Sequence, residues 1–263
     1  MQKRGLELGY VADSPQHDAS SFFRSDEFKE TLKWLKQPVR GKTVADIGAG
    51  RGIASYAFGA AGARRVYAIE PDSDEWLGNG AIRKLDHQDR IEVVSSYGEK
   101  LDLPTSSMDI VYCRQVLHHA RDLPKFIQEC ARVLKPGGTF LACREHRADT
   151  PDELAAFLAS HPVHALNGEE HAFPLHDYVN AIQGAGLLLK ETLQPFDSII
   201  CAYPEVLSSA ELTALPRKLL IQKWGNLGRL LSVVPWVKQA VIFRLNQRPT
   251  PGRIYAFLAQ KPR

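Results

Sequence analysis

Apolar residues along this chain fall into short dense runs separated by longer stretches in which they recur every three or four positions. Thr43–Ile47, Arg65–Glu70, Arg90–Ser95, Asp109–Cys113 and Thr139 to about Arg144 are the dense runs. Such runs mark parallel strands buried on both faces. Between them the spacing predicts helices over Ile53–Ala61, about Ser73–Leu85, and Leu123–Leu134. In the last, Phe126, Ile127, Cys130, Val133 and Leu134 share a face. This alternation predicts a doubly wound α/β fold, with helices on both faces of a mostly parallel sheet. Ahead of the first strand, Ser25-Asp26 caps a helix over Glu27–Lys36 that ends before Pro38, and residues 1–24 read as a loose, polar segment.

After His146 the texture changes. Thr150-Pro151-Asp152-Glu153 opens one helix, Leu175–Gln183 is another, Leu187–Leu193 reads as a sixth strand, and Gly252–Lys261 contains a last one. The stretch between these two strands is too long for a bare loop and needs structure of its own. The expected organisation is therefore one domain from 25–196 and 251–263, with a helical insertion or cap at 197–250.

The first dense run leads into Asp46-Ile47-Gly48-Ala49-Gly50-Arg51-Gly52. Glycines here let the turn take positive φ and leave bare main chain for a ligand, and the helix that follows points unsatisfied N–H groups at it. Glu70, twenty positions after Gly50 at the end of the second run, is placed to accept from both hydroxyls of a ribose. The glycine spacing is not that of a dinucleotide fingerprint. Asp46 would repel a pyrophosphate but can receive an ammonium. Both points favour S-adenosylmethionine over a nicotinamide dinucleotide.

Four motifs, in order, resemble the class I S-adenosylmethionine-dependent methyltransferases, in particular the small-molecule branch with a ubiquinone-biosynthesis-like domain. They are Asp46–Gly52, Ile69-Glu70-Pro71-Asp72, Asp109–Cys113 with Leu117-His118-His119, and Leu134-Lys135-Pro136-Gly137-Gly138. The resemblance spans roughly Thr31–His146. It implies a Rossmann-like seven-stranded sheet with the last strand antiparallel. It also implies a cofactor site built from Asp46, Gly48, Ala49, Gly50, Gly52, Glu70 and Pro71, with Arg114 and Gln115 near the methionine tail. A helix before the first strand would cover the cofactor, where Phe22 or Phe23 could touch it; plain core packing is the favoured reading for each ring. Where many members place an Asp for the adenine amino group, this chain has Tyr97-Gly98-Glu99. Gly98 retains a backbone donor, and Tyr97 offers a ring or hydroxyl instead of a carboxylate.

Methyl transfer is an in-line displacement that depends chiefly on alignment. A hydroxyl acceptor also needs a base, and histidine titrates in the right range. His119 is the first candidate, with His118 and His146 beside it; the alternative for each is an ordinary packed histidine. His161, His164, His171 and His176 cluster loosely in sequence with Glu169 and Glu170, in no compact metal-ligand spacing, and read as an acceptor-site lid rather than a metal site.

Composition adds three constraints. Met1–Ser14 has no apolar core of a secretory signal, and no run of eighteen apolar residues exists to span a bilayer. Cys113, Cys130, Cys143 and Cys201 form no C-x-x-C pair and read as reduced thiols, which points to a cytoplasmic protein. The charge is uneven: Leu212–Arg263 holds ten basic and no acidic residues, leaving −7 on residues 1–211 of a chain whose total is +3. Aromatic and aliphatic residues interleaved with those bases fit a helix at an anionic membrane surface, a cap over the acceptor, or a plain cap with a solvated basic rim. The reading is a methyltransferase acting on a small or lipid- or sugar-linked acceptor, more plausibly at oxygen. The rival is a non-catalytic S-adenosylmethionine-binding protein that engages a partner or membrane through its basic cap. Nucleic acid is the weaker partner, since no binding module is recognisable. The sequence leaves the oligomeric state open.

Overall fold

The structure is a computed structural model that describes residues 14–160, 171–248, 250 and 252–263. Its seven strands are β1 (Thr43–Ile47), β2 (Arg65–Ile69), β3 (Ile91–Val94), β4 (Met108–Arg114), β5 (Leu134–Arg147), β6 (Leu188–Leu193) and β7 (Arg253–Gln260). They form one sheet in the order β3-β2-β1-β4-β5-β7-β6. Strands β3, β2, β1, β4 and β5 pair in parallel, and β7 runs antiparallel to both neighbours. Strand order reverses between β1 and β4, and in open α/β sheets ligands bind outside the carboxyl ends of the strands at that switch point.

Successive strand residues enter opposite cores, as the pleat requires. Ala45, Ile47, Val111, Cys113, Phe140, Phe257 and Ala259 face one side, where α5 (Leu123–Val133) and α7 (Leu175–Gly184) pack. Val44, Ile110, Tyr112, Leu141, Cys143, Ala256 and Leu258 face the other. That side is covered by α1 (Pro15–Arg24), α2 (Asp26–Trp34), α3 (Ile53–Ala60) and α8 (Ile199–Ala202). The remaining helices are α4 (Asn79–Ile82), α6 (Pro151–Ser160), α9 (Ser209–Leu231) and α10 (Pro235–Asn246). The stretch at 197–250 thus contains α8, α9 and α10.

Two expectations are corrected. The segment expected to be loose up to residue 24 holds a helix from Pro15. Ser14 caps it, its Oγ accepting from the His17 N–H at 3.3 Å, and Pro15 sits in the first turn, where its missing donor costs nothing. Ala19 and Phe22 on this helix are buried, so packing completes what the polar sequence conceals. The helix expected over Ser73–Leu85 shrinks to α4. Asp72 Oδ1 accepts from the Asp74 N–H, and Asp74 Oδ1 from the N–H groups of Trp76 and Leu77. These local side-chain bonds offer the backbone an alternative to helix. Among the described residues no helix is long and apolar enough to cross a membrane.

Candidate active site

The turn between β1 and α3 is built from left-handed glycines: Gly48 at φ 68° and Gly50 at φ 52°. The N–H groups of Gly48 and Ala49 both donate to the Ile69 carbonyl at 2.9 Å, pinning the turn to the end of β2. A Cβ on Gly48 would lie 2.2 Å from Val116 Cγ2, so that side is filled by the loop after β4. Among the described residues, a Cβ on Gly50 would meet only the Leu77 carbonyl oxygen, at 3.9 Å. The loop therefore has a backed side and an open side. Gly52 is also backed, by Leu85 and Ile82.

Glu70 sits against the open side. Its Oε2 accepts from the Gly50 N–H at 2.7 Å and its Oε1 from the Asp72 N–H at 3.0 Å. Burial raises its pKa, and those two bonds oppose the rise. An ionised carboxylate has about four acceptor positions, so half its capacity stays open to hydroxyl donors. Pro71 follows, half-buried. Asp46 is 2 % exposed and accepts from Ser55 Oγ at 2.6 Å in the first turn of α3. Burial pushes its pKa up to about 6, against the Ser55 bonds and the Arg114 charge. Its carboxylate thus lies within the fold next to the loop, tied to α3.

Helix α1 packs on α3, and its Asp18 forms an ion pair with Arg51 of the glycine turn. Phe22 and Phe23 lie in the core against Phe28. Arg114, expected near the methionine tail, is close enough to Asp46 for its charge to act on that carboxyl. It makes a bidentate pair with Glu27 of α2 (2.7 and 3.0 Å), and its guanidinium lies 5.1 Å from the Phe22 ring centre. Burial alone would lower its pKa, but the Glu27 carboxylate outweighs burial and holds it above the ordinary value. Gln115 takes φ 53°, an uncommon conformation for a side-chain-bearing residue, and its Oε1 accepts from Arg114 at 3.0 Å. Of the adenine candidates, Tyr97 is 64 % exposed at the rim. Gly98 is pressed against Phe126, whose ring would lie 1.9 Å from an added Cβ, so packing by itself requires glycine there. Glu99 Oε1 accepts from the Arg121 N–H at 2.9 Å.

The histidines expected to be catalytic come together at the carboxyl ends of β4 and β5. His118 is buried, with ring centres 4.4 Å from His119 and 4.8 Å from His146. His119 is exposed. Glu145, fully buried, places Oε2 2.8 Å from His118 Nδ1 and accepts from the N–H groups of Val116 and His118 at 3.2 Å. Burial raises the Glu145 pKa, and these backbone bonds oppose it. A carboxylate acceptor fixes the proton on Nδ1 and leaves Nε2 to accept. His146 Nδ1 lies 2.8 Å from the Gly252 carbonyl, which selects the same tautomer.

His171 joins the cluster through its backbone, donating to the His118 carbonyl at 2.9 Å. His176 pairs instead with its neighbour Asp177. His161, His164, Glu169 and Glu170 lie outside the described residues. Among the described residues no group of three or more His, Cys, Asp or Glu side chains is placed to hold a metal ion. Glu27 and Glu145 were missed as site residues. The signal for Glu145 was the charged triplet Arg144-Glu145-His146 ending an apolar strand.

These residues fit a sulfonium nucleoside: bare main chain open at Gly50, a carboxylate with free acceptor positions at Glu70, and a buried acid at Asp46 next to the loop. With the sheet order, they define the class I S-adenosylmethionine-dependent methyltransferase fold. Residues 45–142 match the protein family described as Methyltransferase domain. Protein arginine N-methyltransferase 6 of Xenopus tropicalis is 33% identical over 120 residues, 45% of this chain and 35% of that protein. The chain thus spans about a third of the length of that curated relative. The ubiquinone biosynthesis O-methyltransferase of Ralstonia nicotianae is 28% identical over 172 residues, 62% of this chain and 68% of that one. Among solved structures, an S-adenosylmethionine-dependent methyltransferase from Mesorhizobium loti matches with a TM-score of 0.62 and 16% identity, covering 91% of this chain and 100% of that one.

Proposed function

We propose that this protein transfers a methyl group from S-adenosylmethionine to a hydroxyl of a small or lipid- or sugar-linked acceptor. The observation that carries the choice of oxygen is the His118–His119–His146 cluster, with Glu145 buried on His118. Gly48, Ala49, Gly50 and Gly52 would line the methionine part of the cofactor, with Asp46 supplying negative charge toward its ammonium. Glu70 would hold the ribose, and Tyr97 and Gly98 would flank the adenine. When bound, the cofactor supplies an electrophilic methyl group on a sulfonium, whose displacement leaves S-adenosylhomocysteine.

Glu145 holds His118 in one tautomer and ties down the Val116–His118 backbone, so the turn behind Gly48 is fixed before substrate arrives. His118 in turn backs His119, the exposed ring. His119 would accept the proton of the acceptor's hydroxyl. A positioned base of this kind contributes roughly 10²–10⁴-fold. His119→Ala is expected to lose turnover in that range while binding S-adenosylhomocysteine normally, measured with labelled donor across an acceptor panel. Full turnover in that variant would remove the histidine from the mechanism. The rival is a cofactor-binding protein without catalysis. It predicts tight S-adenosylhomocysteine binding with no transfer to any acceptor in the panel or in cell extract.

A further inference from the structure

Helix α9 is not one continuous helix. Gly225 takes φ 56° and ψ −127°, and a Cβ on Gly228 would lie 2.0 Å from the Leu220 carbonyl oxygen, so the chain folds back on its own preceding turns. On both sides of the break apolar residues point outward. Twelve large apolar residues are exposed among the described residues, and five fall in the thirteen positions from Trp224 to Trp236. They are Trp224, Leu227, Leu230, Val233 and Trp236, exposed by 47 % to 74 % and spaced three apart. Large apolar side chains left exposed this densely point to an interaction site. Lys223, Arg229 and Lys238, beside and between them, are exposed as well, and no acidic residue follows position 211.

The chemistry restricts the partner. Basic side chains call for an anionic surface, and two Trp with Leu and Val call for one that also offers an apolar interior within a side chain's reach. An anionic bilayer supplies both, and Trp is favoured at that depth. A second copy presenting the same face would add the like charges of its own Lys223, Arg229 and Lys238 to the interface. A nucleic acid would match the charge but leave Leu227, Leu230 and Val233 nothing to enter.

We propose that the stretch from Lys223 to Lys238, which spans the Gly225 break and the first turn of α10, docks this protein peripherally on anionic lipid, with Trp224 and Trp236 in the headgroup layer. The proposal does not rest on the methyl-transfer reading.

The test is sedimentation of the full chain with vesicles of phosphatidylcholine alone or mixed equally with phosphatidylserine. The protein is expected to pellet with the mixed vesicles at low salt, to be released by high salt, and to shift its tryptophan emission to the blue. Each basic charge near such a surface is worth a factor of about five. Lys223→Gln with Arg229→Gln should therefore weaken partitioning about 25-fold. Leu230→Glu with Trp236→Glu should abolish it, with S-adenosylhomocysteine binding and thermal unfolding unchanged as the folding control. Failure of the wild type to pellet with mixed vesicles overturns the proposal, as does equal pelleting with neutral ones. Pelleting that survives the double glutamate substitution also overturns it. A wild-type dimer in sedimentation velocity that this substitution dissolves would assign the surface to a second copy. Nucleic-acid retention without lipid binding would assign it there.

Discussion

Burial disfavours the charge that Asp46 carries at neutral pH, and the cost has a definite sign. Its folded pKa of about 6 lies above the ordinary carboxylate value, so the folded state holds the proton more tightly. Stability is then lost as pH rises from the unfolded pKa through 6, and the full penalty applies above it. Two units amount to about 3 kcal/mol. Asp46→Asn keeps an acceptor for Ser55 and removes the penalty. It is expected to melt higher than the wild type at pH 8, by a margin that shrinks as pH falls below 6, while binding S-adenosylmethionine more weakly. A margin that does not change with pH would show that Asp46 is not the strained group. Asp46, Gly50 and Glu70 were legible because their spacing is local. Glu27 and Glu145 were not, because they meet Arg114 and His118 across 87 and 27 positions. Nothing in a pattern of neighbours announces a partner that far away.

Helix α1 shows why element-scale reading failed at the amino end. Its residues are polar enough to pass for a solvated segment, and its reason to fold is tertiary: Phe22 in the core and Asp18 on Arg51 of the glycine turn. Short helices draw most of their stability from such packing. Asp18→Asn is expected to raise amide hydrogen exchange over residues 15–24, and cofactor is expected to suppress exchange there in the wild type. Identical exchange in both proteins, with and without cofactor, would detach this helix from the site. The opposite failure occurs at Asp72–Leu77, where apolar spacing suggested a helix and Asp side chains captured the backbone first. The strands were legible throughout because their apolar runs need no distant information, with ends shifted by a few residues. The exception is β5, which begins at Leu134, paired with Met108 across a register shift.

For the whole molecule, β-α alternation predicted the sheet, and the switch point between β1 and β4 gathers the motifs that the sequence scattered over a hundred positions. The glycine turn, Glu70 and the histidine cluster all stand at that one edge. The stretch around Gly225 belongs to a different logic, since Trp224, Leu227, Leu230, Val233 and Trp236 are exposed. The central claim is that the open face of the glycine turn, closed by Glu70, binds an S-adenosyl nucleoside. Calorimetric titration of S-adenosylhomocysteine into the wild type and Glu70→Ala tests it most directly. A charged hydrogen-bond pair is worth ~1.5–3 kcal/mol. The account thus predicts one saturable site in the wild type and roughly ten- to a hundredfold weaker binding in Glu70→Ala. No binding to the wild type, or the same affinity in the variant, would contradict it.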